Sequence, residues 1–157
     1  IFWVFAYVGL VLALVQGAVV RPLATRVAEP VLAGTGTIVM VVGLALLAQS
    51  SVQGSSALLF VALAVCVAGF ALITPSLNSL ISRRSDPSQQ GGVMGLAQST
   101  SSLARIVGPL VGVPLLHIGV QLPMWVGSAL LAVALVLIVW TARSGKDFAS
   151  SENDQRV

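Results

Sequence analysis

The stretch VMVVGLALLA at residues 39–48 decides the fold, because its ten residues include no polar side chain. A strand of an outer-membrane barrel alternates polar and apolar side chains at every second position, and a helix on the surface of a soluble protein keeps one polar face. A segment that is apolar all round is instead typical of a helix that crosses a bilayer. LLAVALVLIVW at residues 130–140 has the same character. These two segments predict an all-α membrane protein.

The composition extends this interpretation to the whole chain. Of the 157 residues, 57% are hydrophobic and only 8% are charged, whereas soluble domains have roughly 25% charged residues. Apart from Arg105, the charges lie between segments that are each close to the roughly 20 residues that a helix needs to cross the hydrocarbon layer. We therefore predict a polytopic bundle over residues 1–142 and a polar cytoplasmic tail over residues 143–157. The five predicted spans are residues 1–20, 31–49, 56–81, 91–116 and 123–142.

Basic residues occur in alternate connections. Residues 21–30 and 82–90 hold two arginines each, and Arg143 and Lys146 follow the last span, whereas the two intervening connections hold none. Loops rich in Lys and Arg stay in the cytoplasm. The pattern predicts a multi-pass protein of the plasma (inner) membrane, partnered by the lipid bilayer, with its C-terminus in the cytoplasm and Ile1 outside.

Several classes of function are disfavoured by the residues present. The net charge is only +3 and the arginines form no basic stripe that could follow a phosphate backbone, so nucleic acid is not an expected partner. The single Cys66 lies in an apolar segment, and no CxxC or HExxH spacing indicates a metal site. No nucleophile is spaced with a base or with metal ligands. We expect neither an enzyme nor a bound cofactor.

The predicted span at residues 91–116 separates its side chains into two faces. On a helical wheel, small and polar residues share one face and large apolar residues cover the other. The first face consists of Gly91, Met94, Gly95, Gln98, Ser102, Arg105, Pro109 and Gly112, with Ser101 at its edge. One face therefore meets lipid, and the other meets protein or water.

Arg105 is the charged residue on this polar face, about 21 Å along the span. A charge at that depth costs at least about 2.5–3.5 kcal/mol unless it has a partner or water, and no predicted span contains an acidic residue. The partner is a substrate anion, a carboxylate elsewhere in the protein, polar groups such as Gln98 and Ser101, or water. We predict a role in a cavity or in gating, with a structural ion pair or outward snorkelling as the alternative. The predicted substrate-pathway residues are Asn78, Gln98, Ser101, Ser102 and Arg105.

Glycines and prolines in two spans predict close packing and kinks. Small residues four positions apart let helices approach closely, and Pro75 removes a backbone hydrogen bond within its helix. Asn78, one turn later, either faces the pathway or accompanies the kink. The residues predicted to act in helix packing or at kinks are Pro75, Gly91, Gly95, Gly108, Pro109 and Gly112.

Two stretches of the sequence carry motifs of a known family. The first is QGAVVRPLATRVAEP at residues 16–30. The second, at residues 75–112, is PSLNSLISRRSDPSQQGGVMGLAQSTSSLARIVGPLVG. They resemble major facilitator superfamily transporters, especially the drug-proton antiporters related to tetracycline efflux pumps. The first stretch is similar to the loop between helices eight and nine of that family, and the second has the family's proline in helix ten, basic loop, Gln-Gly pair opening helix eleven, Ser-rich stretch and I-x-G-P.

The resemblance implies a partial major facilitator fold, made of helices eight to twelve of a twelve-helix transporter. In such a protein two six-helix halves rock around a midplane cavity, so the N-terminal half would be a missing partner and a small-molecule substrate would bind between the halves. The resemblance implies a gating loop with Arg21, Arg26 and Glu29, in which Arg26 forms ion pairs that hold one of the alternating states. It favours efflux of a drug-like compound coupled to protons. Uptake of a sugar or organic acid, or a non-transporting membrane scaffold, remains the alternative.

Overall fold

The computed structural model describes residues 2–144, which form five long helices. Each helix is long and apolar enough to cross a membrane, and no strand occurs within these residues. The predicted all-α class with five membrane-crossing helices is therefore confirmed. The helices are α1 Phe2–Ala24, α2 Glu29–Gln53, α3 Ser56–Arg84, α4 Gln90–Ile118 and α5 Leu122–Ser144.

The helices extend beyond the apolar spans from which they were predicted. Helix α1 continues through Arg21 and Pro22 to Ala24, and α5 includes Arg143, which the sequence analysis assigned to the polar tail. The difference arises because helical hydrogen bonding continues into the interface, where charged side chains reach water, whereas hydropathy marks only the apolar part. The rest of the predicted tail, residues 145–157, lies outside the described residues.

Helix α1 widens before it ends. Residues Val15–Val20 form a π-helical segment, in which the backbone N–H of Arg21 donates to the carbonyl of Gln16. In a regular α-helix the ring of Pro22 would clash with the carbonyl four residues earlier, and the wider turn directly before it relieves that clash. The π segment therefore lets the helix continue beyond Pro22, with Arg21 in its last turn.

The connections alternate between the two ends of the bundle. Arg83 at the end of α3 bonds to Glu29 at the start of α2, and Arg84 bonds to Thr141 in the last turn of α5. We call this the basic end, and its arginines are Arg21, Arg26, Arg83, Arg84 and Arg143. The opposite end, which we call the neutral end, joins α2 to α3 at residues 54–55 and α4 to α5 at residues 119–121. The charge alternation in the sequence thus becomes a charge difference between two ends.

Helices α2 and α3 form the closest contact in the structure, and glycine makes it possible. A Cβ atom at Gly69 would lie 2.7 Å from the carbonyl oxygen of Gly36 and 2.7 Å from the backbone nitrogen of Met40. A Cβ atom at Gly43 would lie 2.7 Å from the backbone nitrogen of Cys66. Small residues at such positions bring helix backbones together in a bilayer, where packing replaces the hydrophobic drive for association.

Helices α1 and α5 pack on this pair from different sides. Val20 of α1 joins a buried cluster with Leu32 of α2 and with Ala71 and Leu72 of α3. Helix α5 packs along α2. Tyr7 ties α1 to α3 nearer the neutral end, where its hydroxyl donates to the carbonyl of Phe60 at 3.0 Å and the two rings meet edge to face.

Helix α4 stands apart from the other four. None of its residues is buried, and its contacts with α3 and α5 are sparse. Its predicted lipid face is strongly exposed, with Leu96 69%, Ile106 69% and Leu110 72% accessible. The polar face of α4 is exposed as well, so this helix presents two chemically different free surfaces.

Candidate functional site

Arg105 lies close to the midpoint of the 29-residue helix α4, with an exposed side chain. Across residues 2–144 it forms no ion pair or hydrogen bond through its side chain. The two acidic residues of that range, Glu29 and Asp86, both lie near the basic end. A charge in the middle of a membrane-crossing helix needs a partner or water. The structure therefore leaves Arg105 available to a group that these five helices do not supply.

The hydroxyl of Ser102, one turn before Arg105, is turned back onto its own helix and donates to the carbonyl of Gln98 at 3.0 Å. Ser99 and Thr100, which the helical wheel places on the other face, both donate to the carbonyl of Leu96 at 2.9 Å. The Ser102 hydroxyl keeps lone pairs that can still accept a hydrogen bond. Together with the amide of Gln98 and the hydroxyl of Ser101, it lets the polar face contact a polar solute or water without opening the helix.

The glycines of α4 contact no other helix in the described part of the chain. A Cβ atom at Gly91, Gly95, Gly108 or Gly112 would meet nothing within 4 Å. The tight contact is instead the glycine contact between α2 and α3, which the sequence analysis did not identify. Close packing at the α4 glycines therefore stays a prediction, and the helix that would pack there is not among residues 2–144.

Pro75 lies inside α3, which continues without a break on both sides. Thr74 and Ser76 donate from their hydroxyls to the carbonyls of Phe70 at 3.2 Å and Leu72 at 2.7 Å. These carbonyls flank that of Ala71, to which Pro75 has no N–H to donate. The two hydroxyls are thereby satisfied within the helix, and such bonds to the carbonyl four residues earlier favour a bend, as the proline does.

Asn78, the pathway candidate on α3, is exposed one turn after Pro75. No side-chain hydrogen bond links it to another residue between 2 and 144. The structure therefore does not join Asn78 to the polar face of α4, and its predicted pathway role stays a prediction.

Glu29 is the centre of a polar contact at the basic end. The Nη1 atom of Arg83 donates to both carboxylate oxygens of Glu29 at 2.9 Å, and the hydroxyl of Ser79 donates to Oε1 at 3.2 Å. Arg21 and Arg26, the other residues of the predicted gating loop, are exposed and pair with no carboxylate in the region that the structure covers. The contact fixes the start of α2 to the end of α3.

Arg83 is a partner that the sequence analysis missed. A signal for it existed, because antiparallel neighbours place the last turn of α3 beside the first turn of α2, and Arg83 and Glu29 carry opposite charges in those turns. Choosing between Arg83 and Arg26 requires the helix rotation, which only the packed structure supplies.

Replacing Glu29 by glutamine should lower the free energy of unfolding by at most about 1 kcal/mol. The effect is small because Arg83 is 57% exposed and exposed ion pairs contribute little. The loss should shrink in high salt, which screens the pair. The measurement is thermal unfolding of the full-length protein in low and high salt.

Asp86→Asn is the matched control for this prediction. It removes the same charge from the next connection at the basic end, where the carboxylate of Asp86 accepts from the backbone N–H and the hydroxyl of Ser88, at 2.8 Å each, and forms no ion pair within residues 2–144. The N–H of Ser88 holds the pKa of Asp86 below its usual value. Equal melting temperatures for the Glu29→Gln and Asp86→Asn variants would show that the Arg83 contact contributes no more than the local contact of Asp86 with Ser88.

The fold and the exposed polar helix together define a polytopic α-helical membrane protein. The sequence model of the protein family described as the Major Facilitator Superfamily matches residues 1–156. The chain belongs to this superfamily.

A curated relative agrees with this assignment. The mouse protein named major facilitator superfamily domain-containing protein 10 is 26% identical over 151 residues, which cover 94% of this chain and 32% of the relative. The chain thus spans about a third of the length of that relative. No solved structure matches the chain significantly.

Proposed function

We propose that the protein containing this chain moves a small organic solute across the membrane by alternating access. The observation that carries the proposal is Arg105, a charge near the middle of α4 on an exposed polar face. A group of this kind in a membrane helix faces a cavity or pairs with a group across an interface, because lipid would not solvate it.

The same face supports a cavity between two halves of a transporter. In major facilitator proteins the substrate site lies near the midplane, where the halves meet. Helix α4 has no buried residue, and a second half that covers it would place Gln98, Ser101, Ser102 and Arg105 at that meeting surface. On this proposal the chain corresponds to helices eight to twelve, and an N-terminal half is its partner.

More specifically, we propose that the solute is a drug-like compound and that its efflux is coupled to protons. Its support is the resemblance of residues 16–30 and 75–112 to drug-proton antiporters. Proton coupling requires titratable groups within the membrane, and the acids of residues 2–144 lie near the basic end. The groups that carry the proton would therefore belong to the other half.

We propose that the protein lies in the plasma (inner) membrane and that its basic end faces the cytoplasm. The support is the positive-inside rule, applied to five arginines at one end and to two connections without Lys or Arg at the other. The contact between Glu29 and Arg83 then lies on the cytoplasmic side, where it holds α2 against α3 during the rocking of the halves.

A cysteine at position 102 tests the cavity directly. In the full-length protein with Cys66→Ala, we expect Ser102→Cys to react with a membrane-impermeant thiol reagent, because water must reach a transport cavity in at least one state. A transported solute should slow the reaction. Mass spectrometry of the labelled protein gives the extent of modification over time.

Leu103→Cys is the matched control, since Leu103 is the next residue of α4, lies on the apolar face and is 61% exposed. It should stay unreactive because it faces lipid. If positions 102 and 103 are equally inert in every condition, the polar face is a helix-packing seam and the transport proposal loses its main support.

A further inference from the structure

A groove runs between α2 and α5 from the basic end toward the middle of the bundle. A concave surface of about 290 Å³, lined by residues of both helices, forms it. A second surface of about 360 Å³, on α5 alone, adjoins it and shares Leu135, Val139 and Arg143 with it. Each helix contributes residues four positions apart, which therefore lie along one ridge. These ridge residues are Pro30, Gly34 and Ile38 on α2, and Leu135, Val139 and Arg143 on α5.

The groove has the shape and polarity of a site for an acyl chain. Its floor is closed at Gly34, where a Cβ atom would lie 3.8 Å from Cδ1 of Leu135. From Pro30 to Ile38 it extends about 12 Å along α2. Apart from Arg143 at the basic end, the polar side chain that lines the groove is Thr35. Its hydroxyl donates to the carbonyl of Leu32 at 3.1 Å and so needs no further partner.

The mouth of the groove is positively charged. Arg143 stands there in the last turn of α5, exposed, and none of the residues from 2 to 144 forms an ion pair or hydrogen bond with its side chain. Trp140, one turn earlier, lines the adjoining surface of α5 and is 64% exposed. Tryptophan prefers the level of the lipid headgroups. The mouth therefore lies where a headgroup phosphate would be, and the apolar walls lie where its acyl chain would be.

We propose that this groove binds an anionic phospholipid, with one acyl chain between α2 and α5 and the headgroup phosphate on Arg143. Charge selects the class of lipid, because basic pockets between helices at a membrane surface recognise anionic headgroups. The guanidinium also matches phosphate geometrically through paired N–H donors. The site lies on the α2–α5 side of the bundle and is independent of transport through the polar face of α4.

The test is native mass spectrometry of the full-length protein in mixed micelles containing equal amounts of phosphatidylglycerol and phosphatidylcholine with identical acyl chains. The unmodified protein should retain phosphatidylglycerol preferentially. Arg143→Gln should lower that preference at least about fivefold, the effect of one basic residue next to an anionic headgroup. Arg26→Gln, which removes an exposed charge from the same end but outside the groove, should leave it unchanged.

A second pair of variants tests the groove itself. Gly34→Phe should fill it and abolish retention, whereas Gly34→Ala, whose methyl group would make an ordinary contact with Leu135, should retain the lipid. Equal losses for Arg143→Gln and Arg26→Gln would overturn the proposal, because general surface charge would then explain the preference. A change from dimer to monomer in Gly34→Phe with lipid retention unchanged would overturn it too, because a second copy would then occupy the groove.

Discussion

Replacing Arg105 by alanine is expected to slow transport at least about tenfold while leaving the amount of protein in the membrane unchanged. Arg105 has no partner within residues 2–144, so alanine removes no contact that holds these helices together. It removes the charge that a solute or the opposite half would engage. A hydrogen bond to a charged group contributes about 1.5–3 kcal/mol, and about 1.4 kcal/mol in a barrier is tenfold in rate. The measurement is the initial rate, in proteoliposomes, for a compound that the unmodified full-length protein transports.

Two further variants make this result interpretable. Leu110→Ala shortens an exposed side chain on the opposite face of the same helix and should transport at the normal rate. Arg105→Lys keeps the charge but loses the paired donors of the guanidinium, so an intermediate rate is expected. Unimpaired transport by Arg105→Ala would exclude the arginine from the pathway and leave outward snorkelling as its role.

Adding one methyl group at Gly69 is expected to destabilise the protein by about 1–3 kcal/mol, the usual cost of overpacking. The new Cβ atom would lie 2.7 Å from two backbone atoms of α2, the carbonyl oxygen of Gly36 and the nitrogen of Met40. Backbone atoms cannot rotate away as the end of a side chain can, so the two helices must separate. Gly43→Ala should have a similar effect, because it meets the backbone of Cys66. Thermal unfolding of the full-length protein, followed by size-exclusion chromatography after heating, measures the loss.

The matched control for these variants is Gly34→Ala, on helix α2, which contains Gly43 and packs against Gly69. Its methyl group would meet only the end of the Leu135 side chain at 3.8 Å, and alanine favours a helix over glycine. Its melting temperature should equal or exceed that of the unmodified protein. If Gly69→Ala melts at the same temperature as Gly34→Ala, α2 and α3 are not as close as the structure places them.

The polar face of α4 shows how far prediction from sequence reached. The separation of Arg105, Gln98 and Ser102 from the large apolar residues follows from the helical period alone, and the structure places these three side chains on an exposed helix. The partners of the predicted packing residues could not be predicted from the sequence. Small-xxx-small spacing indicates that a helix can be approached closely, but it does not say which helix approaches.

Sequence by itself determined the helical class, the number of membrane-crossing segments and the alternation of basic connections. These properties depend on the solvation of each segment in oil or water, which is local and adds up residue by residue. Only the tertiary structure decided which glycines meet, that Glu29 pairs with Arg83, and that a groove with Arg143 at its mouth lies between α2 and α5. Those contacts depend on the rotation and separation of helices that are distant in the chain, and inside a membrane these are set by the fit between helix surfaces rather than by hydrophobicity.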